Sequence, residues 1–153
     1  GSNSWLYRAL VLDKPLAVAT SASYQGTAVD DTQFTISVSP KPGIEFAAVE
    51  QAVDGVIAEL SQNRVPAGDL ERVKTQLIAE AIYAQDNQAT LARWYGSAIT
   101  TGLSIDDVRS WPDRIRAVTA EQVRDAAQKW LDKKRSVTGY LIKDTTKREE
   151  KRS

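Results

Sequence analysis

The sequence has 153 residues, of which 42% are hydrophobic and 26% charged, so it has the length of one domain and the composition of a folded chain. Its 20 basic residues balance 20 acidic ones, and the formal net charge of zero gives no electrostatic reason to expect nucleic acid or an anionic membrane as a partner. The sequence contains neither histidine nor cysteine, which excludes the usual protein ligands of zinc, disulfide bonds, and catalytic groups of the Ser-His-Asp or Cys-His type.

Targeting signals are also missing from the sequence. No apolar stretch approaches the ~20 residues of a membrane-spanning helix, so no membrane span is expected. The first residues lack the basic and apolar regions of a signal peptide, although a mature protein would have lost one. The absence of cysteine fits a bacterial periplasm and a cytoplasm equally well, so the compartment stays open.

The first part of the chain predicts one short helix and two strands. Residues 4–12 form an amphipathic pattern that Ser4 can cap and that Pro15 ends. Strands are expected over 17–26 and 33–39, with a hairpin loop between them that carries two aspartates. The second strand alternates in polarity, and three apolar residues share one of its faces: Phe34, Ile36 and Val38.

The middle of the chain predicts helices. A Pro-Lys-Pro-Gly turn precedes a helix over about 45–62, and Pro66 stands just ahead of a longer one. The polar stretch 85–88 is expected to interrupt that longer helix. Its apolar stripe consists of Leu70, Val73, Leu77, Ala81, Ala84, Leu91 and Tyr95.

The last third predicts two capped helices and a strand. Gly102 is typical of a helix end, and a proline after Trp111 is expected to close or kink the short helix that follows. A last strand is expected over 136–142, and 144–153 is a charged tail that we expect to be flexible. Two pairs of residues predict capping boxes at helix starts, namely Ser104 with Asp107 and Thr119 with Gln122.

The order of these elements predicts an α+β fold. Strands and helices are segregated along the chain, which favours an antiparallel or mixed sheet of few strands that several helices cover on one face. Three strands are few for this length, and a sheet so small leaves unpaired edges. The sequence therefore has the character of part of a larger assembly, with one domain over 1–143.

Several short sequence stretches occur in an order that is typical of a known protein family. They are Ser-Trp-Leu-Tyr-Arg-Ala-Leu-Val at 4–11, Leu16-Ala17, Asp-Leu-Glu-Arg-Val-Lys at 69–74, Val-Thr-Ala-Glu-Gln-Val at 118–123, and Trp130-Leu131. Their order resembles the C-terminal domain of the pitrilysin/insulinase-type zinc metallopeptidases over about residues 4–143, without that domain's first strands. The resemblance implies a two-layer sandwich of the kind shared by these peptidases and LuxS.

The resemblance also implies a function. Members of the family pair homologous domains around a peptide, and their N-terminal domain binds zinc through His-x-x-Glu-His. This chain cannot contain that motif because it has no histidine. The resemblance therefore implies that zinc and the catalytic glutamate lie in an N-terminal domain or a partner chain. The fragment alone would be inactive, as part of a zinc metalloendopeptidase that encloses a peptide substrate.

No catalytic, cofactor-binding or metal-binding residue is expected in this chain. Many family members place an assisting arginine and tyrosine where this sequence has Val11 and Val18, which are expected to pack in the core. If the match to the family is shifted by one helical turn, Arg8 takes the place of the assisting arginine. A substrate-side surface is expected at Arg8, Arg93 and Tyr95, although Tyr95 also fits the apolar stripe and Arg93 a solvent-facing position. Three tryptophans are expected to anchor helices to the core: Trp5, Trp111 and Trp130.

Three functions remain open from the sequence. The first is a wall of the peptide-enclosing chamber of a zinc metallopeptidase. The second is a catalytically inactive scaffold subunit, like the core proteins of respiratory complexes that resemble this family. The third is an independent peptide-binding protein with an exposed sheet edge, through which a homodimer is also expected.

Overall fold

A computed structural model describes residues 4–142 of the chain. In chain order its elements are α1 (Trp5–Tyr7), a π-helix (Arg8–Asp13), β1 (Ala17–Tyr24), β2 (Phe34–Pro40), α2 (Phe46–Gln62), α3 (Ala67–Ala84), α4 (Gln88–Thr100), α5 (Ile105–Arg109), α6 (Trp111–Ala117), α7 (Ala120–Trp130) and a 3₁₀ turn (Lys133–Arg135). This is an α+β fold, as the sequence predicts. Among the described helices none is both long and apolar enough to cross a membrane.

The two strands form an antiparallel hairpin. Opposite residues include Thr20 with Val38, and the pairs that follow place Ile36 and Phe34 on the same face as Val38, as the alternation predicts. The register is irregular between Ala17 and Ala19, which places Val18 in a bulge. The other face carries only small and hydroxyl-bearing side chains from both strands, so apolar packing is confined to one side of the hairpin.

The core lies where the π-helix, β1 and α2 meet. Its buried residues are Leu10, Ala17, Val49 and Val56, and Leu10 is the largest fully buried side chain in the part of the chain that the structure describes. Partly buried apolar side chains from α1, β2 and α2 pack around this cluster. Outside it, α7 packs on α2, and α3 on α6.

Helix ends follow the local chemistry that the sequence predicts. Asn87 caps α4 by accepting a hydrogen bond from the backbone N–H of Thr90 at 3.0 Å, so the polar stretch 85–88 does separate α3 from α4. Gly102 ends α4 with a φ of +87°, a conformation that glycine adopts without steric cost. Both predicted capping boxes form, at the starts of α5 and α7.

The third strand is a wrong prediction. Residues 136–142 are irregular, and the sheet of the described residues has two strands. β-branched and aromatic residues give this segment the propensity for a strand, but a strand forms only where a neighbouring edge completes its hydrogen bonds. No such edge lies beside this segment among residues 4–142.

Two smaller expectations also need correction. Trp111 neither closes nor kinks α5, which already ends at Arg109; it begins α6, because the proline that follows it is compatible with a first helical turn. Trp130 is largely exposed and does not anchor α7 to the core. Its indole lies instead near two cations, Lys129 at 4.8 Å and Arg135 at 5.2 Å from the ring centroid. The predicted tail 144–153 lies outside the described residues.

Candidate functional site

The two valines that stand at the expected arginine and tyrosine positions have different surroundings. Val11 lies on the π-helix, is half-buried and packs against the core cluster, as predicted. Val18 is 57% exposed, so the expectation that it packs in the core is wrong. The bulge between Ala17 and Ala19 breaks the alternation of β1 at this residue. Neither side chain can donate a hydrogen bond or carry a charge, so neither can stabilise an oxyanion.

Arg8, the first residue of the π-helix, belongs to a polar junction that also joins α1 to α3. Its Nη2 lies 3.4 Å from Asp69 Oδ2, and the same oxygen accepts a hydrogen bond from Trp5 Nε1 at 3.2 Å. Arg72 approaches the other oxygen of Asp69 at 3.4 Å. The Trp5 hydrogen bond, with smaller contributions from the two guanidinium groups, lowers the pKa of Asp69 below its usual value. Arg8 thus has a structural partner while half of its side chain stays exposed.

Arg93 and Tyr95 lie on α4, away from that junction. Arg93 is exposed and its Nη2 contacts Thr90 Oγ1 of the same helix at 3.4 Å, whereas Tyr95 is half-buried. Within residues 4–142 no hydrogen bond or ion pair joins Arg8 to either of them. The structure therefore does not gather the three residues into one polar cluster.

A groove that the sequence did not indicate runs between the π-helix and α2. Its volume is about 330 Å³, and its polar lining comes from Asp13 and Lys14 on one side and from Gln51 and Glu59 on the other. Half-buried Ala52 and buried Val56 contribute apolar surface. These groups can exchange hydrogen bonds with a polar chain, but they include no imidazole or thiol that could act as a nucleophile or proton shuttle near neutral pH.

A second polar cluster, also missed from the sequence, ties the C-terminal segment to α2. Lys133 Nζ donates to Asp54 Oδ2 at 2.6 Å and lies 3.1 Å from Glu50 Oε1, while Tyr140 Oη donates to Glu50 Oε2 at 2.7 Å. The Tyr140 ring also lies 4.9 Å from that of Phe46. We call these five residues the α2 clamp. Lys133 and Tyr140 lie 79 and 90 positions beyond their partners Asp54 and Glu50, and no local pattern signals that they meet.

The clamp shifts the titration of its members. The hydrogen bond from Tyr140, followed by the contact with Lys133, lowers the pKa of Glu50. The same hydrogen bond raises the pKa of Tyr140, because its hydroxyl is stabilised in the protonated form. Hydrogen bonds to Asp54 and then to Glu50 raise the pKa of Lys133. Both carboxylates are thus engaged with a cation, as expected for a structural contact.

The residues present do not fit a zinc ion. In the described part of the chain, no three side chains of the metal-binding types lie close enough together to hold a metal, and the whole sequence has no histidine or cysteine. Hydrolytic zinc sites use three protein ligands and an open position for water. Among residues 4–142 the geometry therefore provides surfaces for contact, and no group of side chains that fits a zinc ion.

Residues 1–77 match the family model described as the peptidase M16 inactive domain. No curated protein matches the chain.

Solved structures share the fold. A protease from Helicobacter pylori is 16% identical with a TM-score of 0.79, and the match covers 86% of this chain but 32% of that one. A candidate zinc protease from Bordetella pertussis Tohama I is 19% identical with a TM-score of 0.79, over 94% of this chain and 78% of that one. The inactive peptidase domain of a candidate zinc protease from Bordetella parapertussis has the same identity and coverage, with a TM-score of 0.78. This chain thus spans about a third of the Helicobacter protein.

Proposed function

The chain belongs to the peptidase M16 family, in the part described as the inactive domain, and from that premise we propose that it forms a wall of the peptide-enclosing chamber of a zinc protease. In this proposal the zinc ion and the catalytic glutamate come from an N-terminal domain or a partner chain. The observation that carries it is the combination of membership in this family with a sequence that has no histidine and no cysteine.

The surface of the domain supports a role in contact with a peptide. The groove between the π-helix and α2 offers an amide at Gln51 that can both donate to and accept from a peptide backbone. Arg8 and Arg93 are exposed cations, and Tyr95 is half-buried on the same helix as Arg93. We assign these three residues to the substrate side of the domain, where cations could attract acidic groups of a peptide.

The test is reconstitution of the peptidase from its parts. The adjoining region of the parent reading frame, or a neighbouring gene that encodes His-x-x-Glu-His, would be expressed as a separate zinc-binding domain and mixed with this chain. A quenched fluorescent peptide then reports hydrolysis. We expect no hydrolysis by this chain with or without added zinc, little by the zinc-binding domain, and activity in the mixture that a chelator abolishes.

Two controls make the result decisive. Replacing the glutamate of His-x-x-Glu-His by glutamine should abolish activity of the mixture without preventing association. Within this chain, Arg93→Ala should raise the KM for an acidic peptide, whereas Lys134→Ala in the 3₁₀ turn should leave it unchanged. Chelator-sensitive hydrolysis by this chain alone would contradict the proposal, as would a zinc-binding domain that is fully active without it.

A second candidate is a catalytically inactive scaffold subunit, comparable to the core proteins of respiratory complexes. The observation that favours it is the pair Val11 and Val18, which cannot donate the hydrogen bonds that an assisting arginine and tyrosine would supply. The sequence encoded upstream distinguishes the two. An intact His-x-x-Glu-His supports the chamber wall, and its loss throughout the parent protein and its gene neighbours supports the scaffold. A homodimer formed through a sheet edge is compatible with either function.

A further inference from the structure

An exposed tryptophan with two cations beside it stands at the C-terminal end of α7. Trp130 is 58% exposed, although tryptophan is highly buried on average in folded proteins. The ammonium nitrogen of Lys129 lies 4.8 Å from the centroid of its ring, and the guanidinium carbon of Arg135 lies 5.2 Å from it. We call these three residues the α7 patch. Cations are common at a helix C-terminus because they favour the negative end of its dipole, but that preference does not require an exposed indole beside them.

The α7 patch presents hydrogen-bond donors without matching acceptors. Within residues 4–142, neither Lys129 nor Arg135 forms an ion pair with a carboxylate, and nothing accepts a hydrogen bond from Nε1–H of Trp130. Arg135 directs one Nη donor to the carbonyl oxygen of Lys129 at 3.4 Å, and its other N–H groups have no acceptor in the described chain. Ammonium and guanidinium groups only donate, so the patch is complementary to a ligand that carries acceptors and negative charge.

The contacts with the ring orient both cations before any ligand binds. A cation that rests against an aromatic ring has already lost part of its rotamer freedom, so a ligand that binds it has less ordering cost to overcome. The planar guanidinium of Arg135 offers parallel N–H groups that match the two oxygens of a carboxylate. The neighbouring Lys133 differs, because its ammonium group already binds Asp54 and Glu50 in the α2 clamp.

We propose that the α7 patch is a docking site for an acidic segment of a protein. A carboxylate of the segment binds the guanidinium of Arg135 and the ammonium of Lys129, and an apolar side chain of the same segment covers the ring of Trp130. A polypeptide is the occupant because it offers charge and apolar contact together, and tryptophan and arginine are the residues that most often dominate the affinity of protein interfaces. The inference rests on α7 and the 3₁₀ turn, and it does not depend on the role in a protease.

Indole N–H signals in an NMR titration report binding at this place. The sequence has four tryptophans, so the ¹⁵N-labelled chain gives four indole signals, and Trp130→Phe identifies the signal of Trp130 by its loss. The probe is the capped peptide Glu-Leu-Glu-Glu-Leu-Glu, added at low ionic strength so that the charges are weakly screened. We expect the Trp130 signal to shift and to saturate. The same peptide with glutamine in place of every glutamate should leave that signal in place.

Two variants with the same change of charge separate this site from general electrostatic attraction. Arg135→Gln removes a cation of the α7 patch and should weaken the affinity measured at the Trp130 signal about threefold or more. Lys134→Gln removes the adjacent cation, which is not part of the patch, and should weaken it less than about twofold. Both side chains are exposed, so both variants should keep the fold, which circular dichroism verifies.

Three outcomes would overturn the inference. The first is a Trp130 signal that does not move when the acidic peptide is added. The second is equal weakening by Arg135→Gln and Lys134→Gln, which would show that only the overall charge matters. The third is a stronger response to inorganic phosphate, or to vesicles of phosphatidylglycerol, than to the peptide at the same concentration of negative charge, because the ligand would then be a small anion or a membrane surface.

Discussion

Replacing Leu10 by alanine should destabilise the protein more than any other single truncation on the π-helix. Leu10 is fully buried and forms the core cluster together with Ala17, Val49 and Val56. The substitution removes three carbons, and at ~0.8 kcal/mol for each buried methylene the transfer free energy alone is about 2.4 kcal/mol. The cavity left behind adds to this, so we expect a loss of about 3 kcal/mol in the free energy of unfolding.

The chain provides a matched control two residues away. Leu12→Ala removes the same carbons from the same π-helix, but Leu12 is exposed, so we expect a change below about 0.5 kcal/mol. Urea denaturation followed by circular dichroism measures both values, and thermal unfolding should show a fall in Tm of roughly 6–12 °C for Leu10→Ala. Equal effects of the two substitutions would show that the core does not lie between the π-helix and α2.

Two further predictions concern polar contacts. Asp69→Asn should lower the free energy of unfolding at neutral pH, because the carboxylate holds Trp5, Arg8 and Arg72. The pKa of Asp69 in the folded protein lies below the usual 3.8, so the unaltered protein should lose this advantage as the pH falls through that region. The urea midpoints of the two proteins should therefore converge in acid. A difference that persists unchanged into acid would contradict this. Tyr140→Phe should raise the pKa of Glu50 towards its usual 4.5, which carboxyl NMR can follow, and an unchanged pKa would mean that the α2 clamp is open in solution.

Features set by neighbouring residues could be predicted from the sequence. The capping boxes at Ser104 and Thr119 formed because each needs only a hydroxyl and a side chain three positions later. The break between α3 and α4 followed from the polar run that ends in the Asn87 cap. The alternation of β2 predicted its apolar face in the same way.

Features that depend on distant partners could not be predicted. The segment 136–142 has strand propensity, yet the described residues provide no neighbouring edge for it. The α2 clamp joins Glu50 to Tyr140 across 90 positions of sequence, and the bulge that exposes Val18 depends on how β1 pairs with β2. Trp130 has the hydrophobicity of a core anchor, but exposure near cations is equally compatible with its sequence context.

For the candidate site, too, only what depends on composition or on neighbouring residues could be predicted. The exclusion of the usual zinc ligands depends on composition alone, because the sequence contains no histidine or cysteine. The groove beside α2 was missed because it needs the π-helix, whose wider backbone hydrogen bonding has no clear sequence signal.

The position of the core cluster has a consequence for what family membership means in this protein. Residues 1–77, which the family model matches, contain all four buried residues of that cluster, whereas beyond residue 77 the buried apolar residues of the described chain are single alanines. The signature by which the domain is identified therefore coincides with its packing.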